Sequence, residues 1–423
     1  MSKKSLIRTT LLLLALLPII CATGCTQSDS PDSPDSQTEI GQTSPATQTS
    51  QTDSSNESAD TNIATKFKAD GDWPLFRGNT RSQGVATSGL PNQLEVIWKH
   101  EIKGGAFEGS AIIVAAPDQL AIIGDADGKL LAFDLETGEI KWEYVAGDIG
   151  FVTAPAFRND KIYIGDMDGK FHCLSIAGEK LWEFATDNSI DSSANFHNDL
   201  VIFGSRDAKL YALKADTGEL AWKLETDDQV RCSITIVDGR AFVAGCDGAL
   251  HIINVDDGTE IGNVVIESPT GVTPAALGNQ IFVGSENTGY LGIDWQEADI
   301  NWRFEGENGS VSTRSSPAVT SDHVVFGSRD RIVYSVQPQT GHLNWSVELK
   351  SDIDSSPVIV GNRVFVGSTD GRFYELELET GKIAWQTEFY GPILSSPAVG
   401  FGRLVIATNR GVVYCLGKPK KPK

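Results

Sequence analysis

Eight times along the chain a run of β-branched and aromatic residues reaches a short polar turn and then returns to an apolar run. The copies are IIGDADGKLLAF from Ile122, IYIGDMDGKFHCL from Ile162, VIFGSRDAKLYAL from Val201 and FVAGCDGALHII from Phe242, followed by IFVGSENTGYLGI from Ile281, VVFGSRDRIVYSV from Val324, VFVGSTDGRFYEL from Val364 and LVIATNRGVVYCL from Leu404. Each predicts a β-hairpin, because Asp-Gly and Asn-Gly turns supply the positive φ that tight connections need. Downstream of the hairpins comes a small turn and then a tryptophan, at Trp142, Trp182, Trp222, Trp302, Trp345 and Trp385, with Gly262 at the corresponding place in the fourth copy. Short Ser-, Ala- and Pro-rich phrases stand just ahead of the hairpins, such as TAPAF at Thr153 and SSPAV at Ser315 and Ser395. A fixed period near forty residues is the signature of a repeat architecture.

One unit therefore reads as a small-residue inner strand, two hairpin strands and a tryptophan-bearing outer strand. Four-stranded antiparallel units of this length stack radially into a propeller. The last unit ends at its third strand near Leu416, and the orphan strand around Trp98, in LEVIWKHE, can supply the fourth. The expected fold is all-β: an eight-bladed β-propeller of four-stranded antiparallel blades, closed by an N-terminal strand in the last blade. Such closure leaves no open sheet edge between first and last blade. Trp98 and the six repeat tryptophans are expected at the inter-blade seams, where a large ring is buried while its indole N–H finds an acceptor.

The flanks read differently. Lys3, Lys4 and Arg8 precede an apolar run, Leu11 to Ile20, that is too short to span a bilayer. Ala22-Thr23-Gly24-Cys25 follows and resembles a bacterial lipobox, so residues 1–24 are expected to be a signal peptide and Cys25 the lipidated residue. Residues 25–68 are rich in Ser, Thr, Gln and Asp and cannot bury enough surface to offset their ordering entropy. They are expected to form a tether with an end-to-end distance of about 35 Å. The propeller is expected over 69–418 and a basic tail over 419–423.

Charge narrows the partners. The formal net charge is −21, which argues against nucleic acid or an anionic lipid surface as the partner of the head. The membrane is reached through the lipid anchor only. Past the leader the cysteines are Cys173, Cys232, Cys246 and Cys415, with no CxxC pair. Cys232 and Cys246 fall on adjoining strands of one blade, offset by about one residue, which leaves open either a disulfide or two thiols.

Residues Ala132 to Trp142, AFDLETGEIKW, resemble the tryptophan-docking motif of PQQ-like, quinoprotein-type propellers. Asp72 to Gly78, DWPLFRG, looks like the segment that leads into many such domains. The resemblance implies the propeller fold over residues 70 to 418 and two contrasting activities. One branch is the PQQ- and calcium-dependent dehydrogenases, typically longer and, in the alcohol-oxidising ones, carrying an adjacent cysteine pair that this chain lacks. The other is similar in plan to the BamB lipoproteins of the outer-membrane β-barrel assembly machinery, which bind no cofactor. The second branch fits better and implies a non-enzymatic envelope scaffold for protein partners, monomeric in its head. It would be exported and anchored by lipid, on the periplasmic face of the outer membrane by preference. The competing readings are the quinone-dependent oxidoreductase and an extracellular ligand-binding sensor.

The chain carries no G-x-S-x-G elbow, no P-loop and no closely spaced pair of histidines suited to a metal. No catalytic residue, metal site or cofactor is therefore assigned. The hairpin aspartates, among them Asp125, Asp166, Asp247, Asp330 and Asp370, are explained by turn chemistry alone. The crossover loops that open on the same face add acids such as Asp148, Asp191, Asp228 and Asp354, set among Arg206, Arg231, Arg314 and Arg329. Arg206, Arg231, Arg314, Arg329, Asp191, Asp228 and Asp354 are the expected partner-binding rim, with Arg231 and Arg314 contacting an acidic segment of the partner.

Overall fold

A computed structural model describes residues 71–418, apart from 116–117, 148, 307–308 and 310. The expected signal peptide, the lipidated Cys25, the tether over 25–68, the basic tail and Asp148 lie outside the described residues.

Eight four-stranded antiparallel sheets follow one another along the chain. Blades 1 to 7 span residues 112–145, 156–185, 195–225, 235–265, 275–304, 318–348 and 358–388. Blade 8 takes three strands from 398–417 and its outer strand from Glu95–Glu101, which pairs with Val412–Gly417, Lys99 opposite Tyr414 and Glu101 opposite Val412. This is the closure that the orphan tryptophan strand predicts.

The burial pattern follows from the ring. In blade 1 both middle strands, Leu120–Gly124 and Lys129–Asp134, are almost wholly buried, whereas the outer strand Ile140–Val145 alternates between half-buried and exposed. Middle strands are covered on both faces by neighbouring blades and so read as continuous apolar runs. Aromatic rings knit adjacent blades: Phe171 stacks on Phe203 at 3.8 Å and Tyr290 on Phe326 at 3.8 Å.

A β-bulge recurs where each outer strand reaches its tryptophan. In blade 1 Ala132 pairs with Trp142 and Phe133 with Ile140, leaving Lys141 as the extra residue. Bulges re-aim side chains, and here the indole is sent to the next blade. Trp98, Trp142, Trp182, Trp222, Trp302 and Trp345 donate their Nε1–H to the carbonyls of Leu135, Ile176, Ala215, Val255, Pro338 and Leu378, at 2.7 to 3.2 Å. Trp385 is half-buried against the core around blade 8, whose missing third-to-outer turn would have held the matching carbonyl.

The WPLFRG segment does more than lead into the ring. Residues 73–86 wind around the lower part of the central channel and bond to the inner strands of seven blades in succession. Trp73 exchanges two backbone hydrogen bonds with Ile113, Pro74 O accepts from Phe157 N, Thr80 O from Ile236 N, Arg81 O from Ala276 N, Gln83 O from Val319 N and Gly84 O from Ile359 N. In blade 3 the Asn195 side chain takes over, accepting from Phe196 N while donating to Thr80 O. The inward edges of the inner strands would otherwise present unpaired N–H groups to the channel. Arg77 is fully buried in this segment, donating to Pro317 O at 2.9 Å and also to Pro357 O, and desolvation pulls its pKa down to about 9.

Candidate functional site: the mouth of the central channel

The inner strands begin near the face that carries the hairpin turns and crossover loops, and the residues just ahead of them line the channel mouth. The Ser-Ser-Pro phrase explains how they are held. Its first residue closes its own blade: Gly327 N donates to Ser315 Oγ at 3.0 Å and Ala407 N to Ser395 Oγ at 3.2 Å. Its second residue reaches the preceding blade. Ala154, Ser193, Ser233, Thr273, Ser316, Ser356 and Ser396 each donate a backbone N–H to the hydroxyl of the next blade's equivalent, ending on Ser110, at 2.8 to 3.1 Å. Seven such bonds form a nearly complete belt, and Ala154, which lacks a hydroxyl, is the gap.

In blade 4 the first position of the phrase is Cys232, whose Sγ accepts from Ala244 N at 3.3 Å. It is a free, buried thiol with its pKa pushed up to about 12 by desolvation. Cys232 thus stands in for a structural serine, and the bridge to Cys246 is not formed.

Two residues ahead of the belt, each blade contributes one residue to the mouth: Glu108, Val152, Asp191, Arg231, Gly271, Arg314, Asp354 and Leu394 in blade order. Together with the belt they line a cavity of about 150 Å3, and Phe76 of the channel segment also lines it. Two of the acids are held by hairpin arginines, Asp191 by one from its own blade and Asp354 by one from the preceding blade. Arg206 Nε donates to Asp191 Oδ2 at 2.7 Å, and Arg329 engages both oxygens of Asp354 at 2.9 Å. Arg231 Nε lies 3.7 Å from Asp191 Oδ2, and Arg314 meets Glu286 at 3.7 Å. Burial raises the pKa of Glu108, helped by the nearby charge of Asp191, while the ion pair with Asp354 raises that of Arg329.

Of the seven residues expected at the rim, Arg231, Arg314, Asp191 and Asp354 line the cavity, and Arg206 and Arg329 brace the two aspartates. Asp228 stands apart: its Oδ1 accepts from Gln229 N at 2.7 Å, which stabilises a turn. The hairpin aspartates act as turn formers, Asp125 Oδ1 accepting from Asp127 N and Lys129 N and Asp166 Oδ1 from Asp168 N and Lys170 N. Sequence reasoning did not single out Glu108, Phe76 or the belt hydroxyls. The doubled serine of the repeated phrase was the available signal for the belt.

The mouth carries three acids, Glu108, Asp191 and Asp354. Two of its three acids are engaged by arginines. Among the described residues no group of three or more His, Cys, Asp or Glu is placed to hold a metal ion.

The family described as outer membrane protein assembly factor BamB matches residues 91–231 and, overlapping, 168–417. A relative of that description from Legionella pneumophila is 28% identical over 191 residues, 42% of this chain and 48% of that protein. One from Burkholderia pseudomallei is 25% identical over 270 residues, 60% of this chain and 68% of that protein. The match to the first therefore spans about half its length. Among solved structures, BamB from Moraxella catarrhalis is similar with a TM-score of 0.63 at 19% identity, over 78% of this chain and 99% of that one. The quinohemoprotein alcohol dehydrogenase of Comamonas testosteroni reaches 0.68 at 14% identity, over 84% and 82%. At such identities the structural likenesses speak for the fold alone.

Proposed function

Because the chain belongs to the outer membrane protein assembly factor BamB family, we propose that it is a non-enzymatic cell-envelope scaffold that binds protein partners during outer-membrane protein assembly. The observation that carries this reading is the mixed-charge mouth, in which Asp191, Arg231, Arg314 and Asp354 stand in the segments that lead into the inner strands, held by the hydroxyl belt at one face of the ring. Charged groups fixed on a rigid frame favour specificity and orientation of a partner over raw affinity. In this reading the head works as a monomer without quinone or metal. Cys25 carries the lipid, and residues 25–68 tether the propeller at the periplasmic face of the outer membrane.

The test is capture of envelope proteins by the full-length chain and by its Arg231→Glu/Arg314→Glu variant. Loss of the captured set in the variant, with an unchanged unfolding midpoint, supports a partner-binding mouth. Equal capture by both proteins contradicts it. Metabolic labelling with a fatty-acid analogue, compared with a Cys25→Ala chain, tests the anchor separately.

A further inference from the structure

Each blade ends in an outer strand whose free edge bares backbone N–H and C=O groups, and charged side chains on such a strand deter pairing with another chain. Three alternate positions of each outer strand turn outward, and seven of the eight strands carry a charge among them. Glu143, Glu183, Lys223, Arg303 and Lys99 hold the middle position in blades 1, 2, 3, 5 and 8, and Glu348 and Glu388 the last position in blades 6 and 7. Blade 4 is the exception. In its strand Glu260–Val265 the three positions are Ile261, Asn263 and Val265, with Ile261 51% and Val265 64% exposed. Glu260, at the head of the strand, is folded back: its Oε1 accepts from Asn263 Nδ2 at 3.2 Å and lies 2.9 Å from His251 Nδ1. The same strand carries Gly262 in place of a seam tryptophan. It is the last strand of its sheet, paired on one side with Ala249–Asn254. Two departures from the repeat thus coincide on one edge.

Charge points to what this edge accepts. At a net charge of −21, two copies of the chain repel one another, which disfavours self-pairing. The flanks of the strand are acidic. Asp256 and Asp257 precede it and Glu267 follows; the Asp256 and Glu267 carboxylates stay exposed although His197 and Arg303 lie 3.2 and 3.3 Å from them. We propose that the outer edge of blade 4 takes up an extended segment of a partner protein as a fifth strand, uncharged and alternately apolar through its middle and ending in lysine or arginine. Main-chain hydrogen bonds along an edge supply the affinity of such strand addition, and alternate side chains supply its specificity. Ile261 and Val265 offer the incoming strand apolar cross-strand neighbours. None of the residues of this strand lines the channel mouth, so the edge stands or falls independently of the mouth.

The test is fluorescence anisotropy of a labelled acetyl-Lys-Val-Thr-Val-Thr-Val-Lys-amide peptide with the full-length protein, and hydrogen exchange to locate it. The peptide should bind saturably and slow amide exchange within 261–265 and in no other outer strand. Proline in place of its central valine should abolish binding, because proline cannot donate to the ladder. Glutamates in place of both lysines should weaken it about tenfold or more, the effect of like charges meeting at the flanks. Asn263→Lys gives blade 4 the charge that blades 3 and 8 carry at this position, so the ring should melt as before, and it should weaken the lysine-ended peptide about fivefold. Ile261→Lys, which copies Lys141 of blade 1, is the second variant of this kind. Arg231→Glu/Arg314→Glu should bind the peptide as the parent does. No saturable binding, protection on another edge, unchanged affinity in both lysine variants or equal affinity for the glutamate-ended peptide would overturn the proposal, as would a dimer of the free protein that Asn263→Lys dissolves.

Discussion

Gly218 lies against the indole of Trp182, so close that a Cβ on the glycine would sit 2.7 Å from the ring. The same relation links Gly138 to Trp98, Gly178 to Trp142, Gly258 to Trp222, Gly341 to Trp302 and Gly381 to Trp345, always across one seam. Each of these glycines also has a positive φ, +73° at Gly218. Gly218→Ala should therefore cost about 2–3 kcal/mol, from left-handed strain plus displacement of the ring. Gly239→Ala shares the φ, +71°, but its Cβ would meet nothing within 4 Å, so it should cost only about 1 kcal/mol. Urea midpoints of the two variants separate ring contact from backbone strain, and equal losses would refute the docking account.

One seam is built the other way round. Gly262 stands where the other seams supply tryptophan, and Ala298, at φ +54°, where the other turns that take an indole have glycine. Trp295 fills the space from the facing blade, packing edge-on to Phe242 at 5.6 Å with the Arg240 guanidinium 5.3 Å from its ring. Trp295→Ala should cost about 3–5 kcal/mol in urea unfolding. Adding Gly262→Trp and Ala298→Gly to Trp295→Leu should recover most of that loss, because it rebuilds the common seam. A triple variant no more stable than Trp295→Ala would show that the seams are not interchangeable.

The hydroxyl belt predicts two changes of opposite sign. Ser193→Ala removes the acceptor for Ala154 N, a buried backbone donor, and should destabilise by about 1–3 kcal/mol. Ala154→Ser supplies the hydroxyl that the belt lacks and should stabilise by about 0.5–1.5 kcal/mol. Thermal unfolding of both variants checks the pair, and a neutral Ser193→Ala would mean that the belt is incidental to stability.

The ring itself was legible because its determinants are side chains with a period. Asp-Gly turns, seam tryptophans and doubled serines recur every forty or so residues, and Trp98 announced the closing strand. The channel segment was hidden for the opposite reason. Thr80, Arg81, Gln83 and Gly84 act through their carbonyls, which leave no mark on residue choice. At the mouth the charged residues stood out, but their division into lining groups and braces depends on which hairpin arginine reaches which crossover aspartate. Asp191 with Arg206 and Asp354 with Arg329 are 15 and 25 positions apart, so no single spacing reveals them.

Glu108 makes stability depend on pH. Its pKa in the folded chain is raised above the ordinary 4.5, first by desolvation and then by Asp191. The group's stabilising contribution is therefore full below pH 4.5 and is lost as pH rises through the folded value. Glu108→Gln should raise the melting temperature at pH 7, and the advantage should fade toward pH 4. A constant difference across that range would show that Glu108 ionises as freely in the ring as in the unfolded chain.

The central claim is that the charged mouth is the face that meets protein partners. Site-specific photo-crosslinking in intact envelopes tests it most directly, with the probe placed at exposed Asp227 or Tyr390 on the mouth face, or at exposed Glu297 or Gln339 in the turns of the opposite face. The account predicts discrete adducts to outer-membrane assembly proteins from Asp227 and Tyr390 that disappear in the Arg231→Glu/Arg314→Glu background. Adducts formed only from Glu297 and Gln339, or unchanged by that charge reversal, would contradict it.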